Sequence, residues 1–272
     1  MKDKSKLYSF QYKKVLWCFC NAINMTTSDK DEPQFFLTAP APCPYLAGRL
    51  ERKVFTYLVG PYSIEKNTVL TQSGFRRSQN IAYRPVCDGC NACVSVRIVV
   101  KDFIQDRTMK RIVKKNRELV GQVCPPKATV EQYLLFKHYL EIRHDDGGMS
   151  KMTFQDYQMM VEDTEVETSL IEYRQKPSNG EEGDEKAKLL AGALTDKVED
   201  GLSMVYSFFS PEEKRSSLGV FMILDHIERA KRLGLPYVYL GYWVKGSPKM
   251  EYKSRYHPQE HLTSLGWRLI EK

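Results

Sequence analysis

The stretch "RPVCDGCNACVSVR", residues 84–97, places Cys87, Cys90 and Cys93 at three-residue intervals. Thiols so spaced suit a metal, a redox pair or a tied turn. A tetrahedral metal needs a fourth ligand, and Cys43 in "CPYL" is the natural candidate. A thioredoxin-type redox pair is disfavoured, because no helix clearly starts there. Upstream, Arg76 and Arg77 stand side by side in "GFRRSQ". A guanidinium grips a carboxylate through two parallel N–H bonds, which an ammonium cannot do. In an extended chain the two arginines point opposite ways, so one can face a site while the other pairs elsewhere. Near the C-terminus, "GSPKMEYKSRYHP" gathers Lys249, Tyr252, Lys253 and Tyr256 behind a turn. The lysines suit phosphate or carboxylate, and the tyrosines suit stacking on a base. His144 and His257 read as structural or surface residues, and Cys18, Cys20 and Cys124 as incidental.

The elements that must position these groups follow from patterning. "APAPCPYLAGRLERKVFTYLV" opens with turn residues and moves into a strand. "IEKNTVLTQSGF" reads as a short helix ending at Gly74. "CVSVRIVV" is rich in β-branched residues and reads as a strand. Asp106 can cap a helix through "DRTMKRIVKKNRELV", stopped by "CPP" at 124–126. Met109, Ile112 and Val113 share one face of it; Arg107, Lys110, Arg111, Lys114 and Lys115 cover much of the rest. That basic face is the candidate contact for a nucleic-acid backbone. "TVEQYLLFKHYLEIRH" is a second helix, ended by "DDGGMS", and Thr153 can cap a third. Residues 175–187 read as a flexible polar loop. "KLLAGALTDKV" and "LSMVYSFFS" then form strands around "EDG". "SLGVFMILDHIERAKRLG" is a helix closed by Gly234, and "PYVYLGYWV" a buried strand. This strand, strand, helix, strand order is a common α/β layout, with a helix N-terminus able to receive an anion at the strand end.

The chain has 272 residues, a formal charge of +7 and seven cysteines. It is long enough for one large domain or two smaller ones. The basic balance, with a pI near 8.9, favours an anionic partner such as nucleic acid. An odd cysteine count in a long chain points to a reducing cytoplasm, with free thiols or a metal site. No apolar run of about 18 residues occurs, so no membrane span is expected. "VLWCFCNAI" is short for a signal-peptide core and lacks a clear cleavage site. Residues 1–32 read as a mobile extension.

Three blocks together resemble a known family. "CPYLAGRLERKVF", "GFRRSQNIAYRPVCDGCNACVSVRIVV" and "YVYLGYWVKGSPKMEYKSRYHPQEHL" look like the aminoacyl-tRNA–protein transferases, in particular the bacterial aspartate/glutamate leucyltransferase subfamily. The eukaryotic arginyltransferases share a "PKMxYKxxYxP"-like block, matched by Pro248, Lys249, Met250, Tyr252, Lys253, Tyr256 and Pro258. The resemblance runs from about residue 33 to the end. It implies transfer of leucine from its tRNA to the α-amine of proteins beginning with Asp or Glu, marking them for degradation. It also implies an α/β (α+β) fold: an N-terminal cysteine-containing domain over 33–122, and an acetyltransferase-like (GNAT) catalytic domain over 123–272. Within that frame, Lys249, Tyr252 and Asp196 are candidates at the reacting centre, Asp196 to orient the leucine's ammonium. Arg76, Arg77, Tyr83, Lys253 and Tyr256 are candidates for substrate binding. The basic helix is the candidate tRNA contact. Eukaryotic relatives bind an iron–sulfur cluster through cysteines of this region; here the pattern departs, with Leu46 where a cysteine would complete a first C-x-x-C.

The aminoacyl ester is already activated, so the reaction requires no cofactor. Zinc or an iron–sulfur cluster on Cys43, Cys87, Cys90 and Cys93 is the one metal site the sequence offers. Other readings fit less of the chain. An arginyl-tRNA enzyme needs a buried carboxylate in its acyl pocket. A coenzyme A acetyltransferase wants a glycine-rich loop where "SSLGVF" has one glycine. A non-catalytic zinc-bearing RNA-binding module leaves the C-terminal sheet without a role.

Overall fold

A computed structural model describes residues 33–143, 148–175, 187–213 and 217–270. The expected extension at 1–32, His144 and almost all of the loop at 175–187 lie outside the described residues. From Phe35 onward the chain forms one compact unit. Two sheets organise it, and the larger has eight strands. In spatial order these are β14 (Gly266–Ile270), β13 (Gln259–Thr263), β7 (Cys93–Val99), β12 (Tyr237–Val244), β11 (Gly201–Phe209), β10 (Leu189–Val198), β9 (Thr168–Gln175) and β8 (Leu119–Cys124). Neighbours are antiparallel except β11 and β12, which run parallel.

Helices cover both faces. Adjacent residues on β10 and β9 point to opposite sides, so Ala193 and Ile171 join one core while Leu194 and Leu170 join another. On the first face, α2 (Arg107–Lys115) and α5 (Leu218–Arg232) lay Met109, Met222, Ile223 and Ile227 against Val96, Ile98, Val238 and Leu240. On the second, α3 (Val130–Arg143) and α4 (Phe154–Glu162) bring Phe136, Leu140 and Tyr157 onto Leu170, Leu194 and Phe208. Each fully buried side chain of this kind contributes about 1.5–3 kcal/mol relative to exposure. Local signals set the helix ends. The Asp106 carboxylate accepts from the Met109 N–H at 2.8 Å. Thr153 and Asp156 form a reciprocal capping box. Gly234, at φ +69°, turns the chain after α5.

The smaller sheet has four strands, in the order β1 (Phe36–Leu37), β4 (Lys53–Tyr57), β6 (Ile81–Pro85) and β5 (Arg76–Ser78). One face packs on α1 (Ser63–Gln72) through Leu58, Leu70 and Ala82. The short β2 (Ala41–Pro42) and β3 (Leu50–Glu51) pair separately.

Two expectations about this frame change. "CPP" does not end the basic helix; α2 stops at Lys115 and β8 intervenes. The large sheet also takes β7 and β8 from the 33–122 stretch, and β8 runs across the 122/123 boundary. Strand pairing, unlike sequence order, unites those segments with the C-terminal strands.

Candidate active site

The parallel pair at the middle of the large sheet is only partly zipped. β11 and β12 pair at Gly201↔Tyr237, Leu202↔Val238 and Ser203↔Tyr239. Beyond that both strands carry irregularities: β11 shifts register against β10 between Tyr206 and Met204, and β12 against β7 between Tyr239 and Gly241. An extra residue in a strand kinks it and raises local twist. The strands therefore part, and their freed carbonyls line a cleft. α5 begins after β11 and leads back to β12, so strand, splay, helix and parallel strand form the acetyltransferase-type arrangement the sequence implied.

Arg76 fills the mouth of this cleft. It reaches in from β5, and its Nη2 donates to the carbonyls of Met204 at 3.0 Å and Val205 at 2.9 Å. Gly241 makes room: a Cβ there would lie 1.5 Å from Arg76 Nη1, and its φ of +75° suits glycine. Lys253 comes from the 3-10 turn Glu251–Arg255, is buried, and donates from Nζ to the Tyr242 carbonyl at 2.6 Å. Burial, with the nearby Arg76 charge, holds its pKa well below the ordinary lysine value. Among the described residues no carboxylate forms an ion pair with Arg76 or Lys253. Two basic side chains thus meet at the strand opening, each bonded to backbone carbonyls.

Tyrosines surround the two basic side chains. The Tyr242 hydroxyl lies 3.0 Å from the Gly74 carbonyl and 3.1 Å from that of Tyr83, tying β12 to the small sheet. Tyr45 stands near Tyr83 and Arg76, and burial pushes its hydroxyl up to about 12. On the other side, Tyr252 neighbours Arg76, Tyr139 neighbours Tyr252, and Tyr206 neighbours Tyr139. Tyr252 is 40% exposed as a residue, while burial of its hydroxyl raises that group's pKa.

Other candidates stand elsewhere. Arg77 does point away from Arg76, but into the interior: its Nε and Nη2 bind Asp196 at 2.6 and 2.8 Å. Thr168 donates to the same carboxylate at 2.8 Å. Both charged groups are buried, so Asp196 orients Arg77 instead of a leucine ammonium, and Arg77 is not the carboxylate reader. Tyr256 is fully buried in the core and cannot stack on a base. Lys249 is exposed on the preceding turn. Tyr83 lies on β6, in register with Arg76. Arg107, Lys110, Arg111, Lys114 and Lys115 are all exposed on α2. Sequence reasoning missed Gly241, Tyr242 and Tyr45; the glycine inside the strand pattern "YVYLGYWV" was the available signal.

The four cysteines converge: Cys43, Cys87 and Cys90 all act electrostatically on Cys93, whose thiol burial pushes up to about 11. Cys90 differs: the Ala92 N–H and Arg49, which donates from Nη1 at 3.3 Å, lower its pKa. Among the described residues, no three His, Cys, Asp or Glu side chains are arranged to hold a metal ion. The residues thus share a neighbourhood without a ligand geometry.

Comparison with known proteins decides the class. Residues 131–263 match the family model described as "Arginine-tRNA-protein transferase, C terminus", and residues 41–111 match its "N terminus" counterpart. The chain belongs to the arginine-tRNA–protein transferase family. Within it, this transferase is 59% identical over 249 residues to an "Aspartate/glutamate leucyltransferase" of Rhodopseudomonas palustris, covering 90% of this chain and 95% of the relative. A Mesorhizobium japonicum protein of the same name is 59% identical, covering 89% of this chain and 96% of that one. A Brucella ovis protein of that name is 58% identical, covering 91% of this chain and all of that one. Solved structures are more distant. FemX overlaps with a TM-score of 0.44 at 10% identity, over 71% of this chain and 62% of that one. L-PGS from Bacillus licheniformis gives 0.42 at 13%, over 70% and 52%. The fold assignment therefore rests on the transferase's own topology.

Proposed function

We propose that this aminoacyltransferase moves leucine from leucyl-tRNA to the α-amine of proteins beginning with Asp or Glu, marking them for N-degron degradation. The observation that carries the acceptor choice is the pair Arg76 and Lys253 at the β11–β12 splay, which among the described residues has carbonyl partners but no carboxylate partner. An acceptor carboxylate there completes a charge-assisted set of hydrogen bonds. The acceptor's own backbone then brings its α-amine to the cleft. That amine has a reference pKa of about 7.7–8.0, so a useful fraction is neutral at cell pH. It attacks the ester carbonyl; a C–N bond forms, the C–O bond to the terminal ribose breaks, and the amine's proton leaves to the ribose oxygen or solvent. The ester is activated beforehand, so positioning supplies most of the rate and no cofactor is required. A metal on the cysteines would be structural, and metal analysis of anaerobically purified protein reads it directly.

The donor choice rests on subfamily likeness. The basic face of α2 is proposed to hold the tRNA backbone. No helix among the described residues is long and apolar enough to cross a membrane, and the described cysteines are free, which suits work in the cytoplasm. The test is transfer of labelled amino acid to a peptide with N-terminal Asp from leucyl-, phenylalanyl- and arginyl-tRNA. Transfer from leucyl-tRNA alone is expected; transfer from arginyl-tRNA overturns the donor assignment.

A further inference from the structure

The small sheet carries a second row of side chains that the site does not absorb. Directly opposed residues in paired strands project to the same face. The registers run Phe36↔Phe55, Phe55↔Tyr83 and Tyr83↔Arg76 across all four strands. One straight row therefore leads from the edge strand to the arginine in the cleft. Tyr57 and Lys53, two residues either side of Phe55, share that face. The opposite face holds Val54, Thr56 and Ala82 and is buried. The row's outer end is open: Phe36 is 40% exposed and Tyr57 48%. The rings are ordered against one another, with Phe36 stacked on Phe55 at 5.5 Å and Tyr57 edge-on to both at 5.9 and 6.0 Å. Lys53 stands 5.4 Å over the Tyr83 ring and pairs with Glu51 at 2.8 Å.

We propose that this aromatic row is a stacking platform for the unpaired 3′ strand of the charged tRNA, leading its terminal adenosine to the cleft. The proposal rests on the transferase reading above and deepens it. Three features select this occupant. The row is continuous with the reacting centre through Tyr83 and Arg76. Aromatic rings offered in series, with a lysine beside them, are the features by which proteins hold single strands without reading sequence. The length fits: strands about 4.8 Å apart make a four-strand row span about 14 Å, and nucleotides rising about 3.4 Å each place roughly four along it. The basic α2 face then holds backbone elsewhere on the tRNA.

The test replaces ring with aliphatic bulk: Phe36→Leu with Tyr57→Leu, and Phe36→Leu alone in case the pair unfolds. The probe is a tRNA bearing 2-aminopurine in its unpaired 3′ strand, whose fluorescence responds to stacking on binding. The wild-type protein is expected to change the signal, and the double variant to lose that change. The KM for leucyl-tRNA should rise about tenfold or more, with the acceptor peptide's KM unchanged. An unchanged fluorescence response and tRNA KM overturn the platform. So does a shift from dimer to monomer on sedimentation with tRNA KM unaltered, which makes the face a self-contact. Ring-dependent fluorescence without any leucyl transfer by the wild type would leave the platform standing and remove the activity reading instead.

Discussion

Replacing Gly241 by Ala displaces Arg76 while leaving both basic side chains in the sequence. The added Cβ would sit 1.5 Å from Arg76 Nη1 and 2.3 Å from its Cζ, at a φ of +75°. A non-glycine residue in left-handed backbone costs about 1–2 kcal/mol. For a domain of this size each kcal/mol lowers Tm by about 2–4 °C, so a fall of roughly 2–8 °C is expected. The guanidinium cannot keep its bonds to Met204 and Val205 with the methyl in place, so it swings out of the cleft. Loss of a charge-assisted hydrogen bond to the acceptor carboxylate is worth about 1.5–3 kcal/mol, or roughly 10- to 150-fold in kcat/KM for an N-terminal Asp peptide. The assay pairs thermal melting with steady-state transfer of labelled leucine, varying peptide and tRNA separately. A Tm fall of the stated size with peptide kcat/KM intact refutes the placement of Arg76 as the acceptor reader.

Lys253 carries a pH signature. Its folded pKa is depressed, so between that value and about 10.4 the unfolded chain binds the extra proton and stability rises with pH; Lys253→Met should flatten that rise in denaturant titrations at stepped pH. Acceptor carboxylate favours the charged form, so peptide KM should climb with pH in the wild type but not in Lys253→Met. Asp196→Ala leaves Arg77 buried and unpaired, and should cost about 3–5 kcal/mol by urea unfolding, with Arg77→Met and Asp196→Leu together recovering most of it. Neutralising Lys110, Arg111, Lys114 and Lys115 should reduce the log K versus log salt slope by roughly 3 in filter binding, and an unchanged slope would make α2 only a solvated face.

Local signals carried much of the fold. Asp106 and Thr153 cap where their types and positions said, and α5 ends at Gly234 because glycine alone accepts that turn cheaply. β8, "LVGQVC", escaped because its inner and outer residues do not alternate cleanly in polarity and it follows a strong helical pattern. The opposite facing of Arg76 and Arg77 was legible from strand geometry alone. Which of them meets the cleft was not, since the partner that claims Arg77 is Asp196, 119 residues away. The same holds for Tyr256: its spacing in the C-terminal block suits a binding face, but the fold turns its ring into the core. The aromatic row of the small sheet depends on register across four strands, which no single strand displays.

If Arg76 and Lys253 read the acceptor's carboxylate, the choice of acceptor must depend on them. The direct measurement is the kcat/KM ratio for peptides beginning with Asp and with Asn, in the wild type and in Arg76→Gln with Lys253→Met. A strong preference for Asp is expected in the wild type and its collapse in the double variant, with the KM for leucyl-tRNA little changed. A double variant that transfers leucine and still prefers Asp would contradict it.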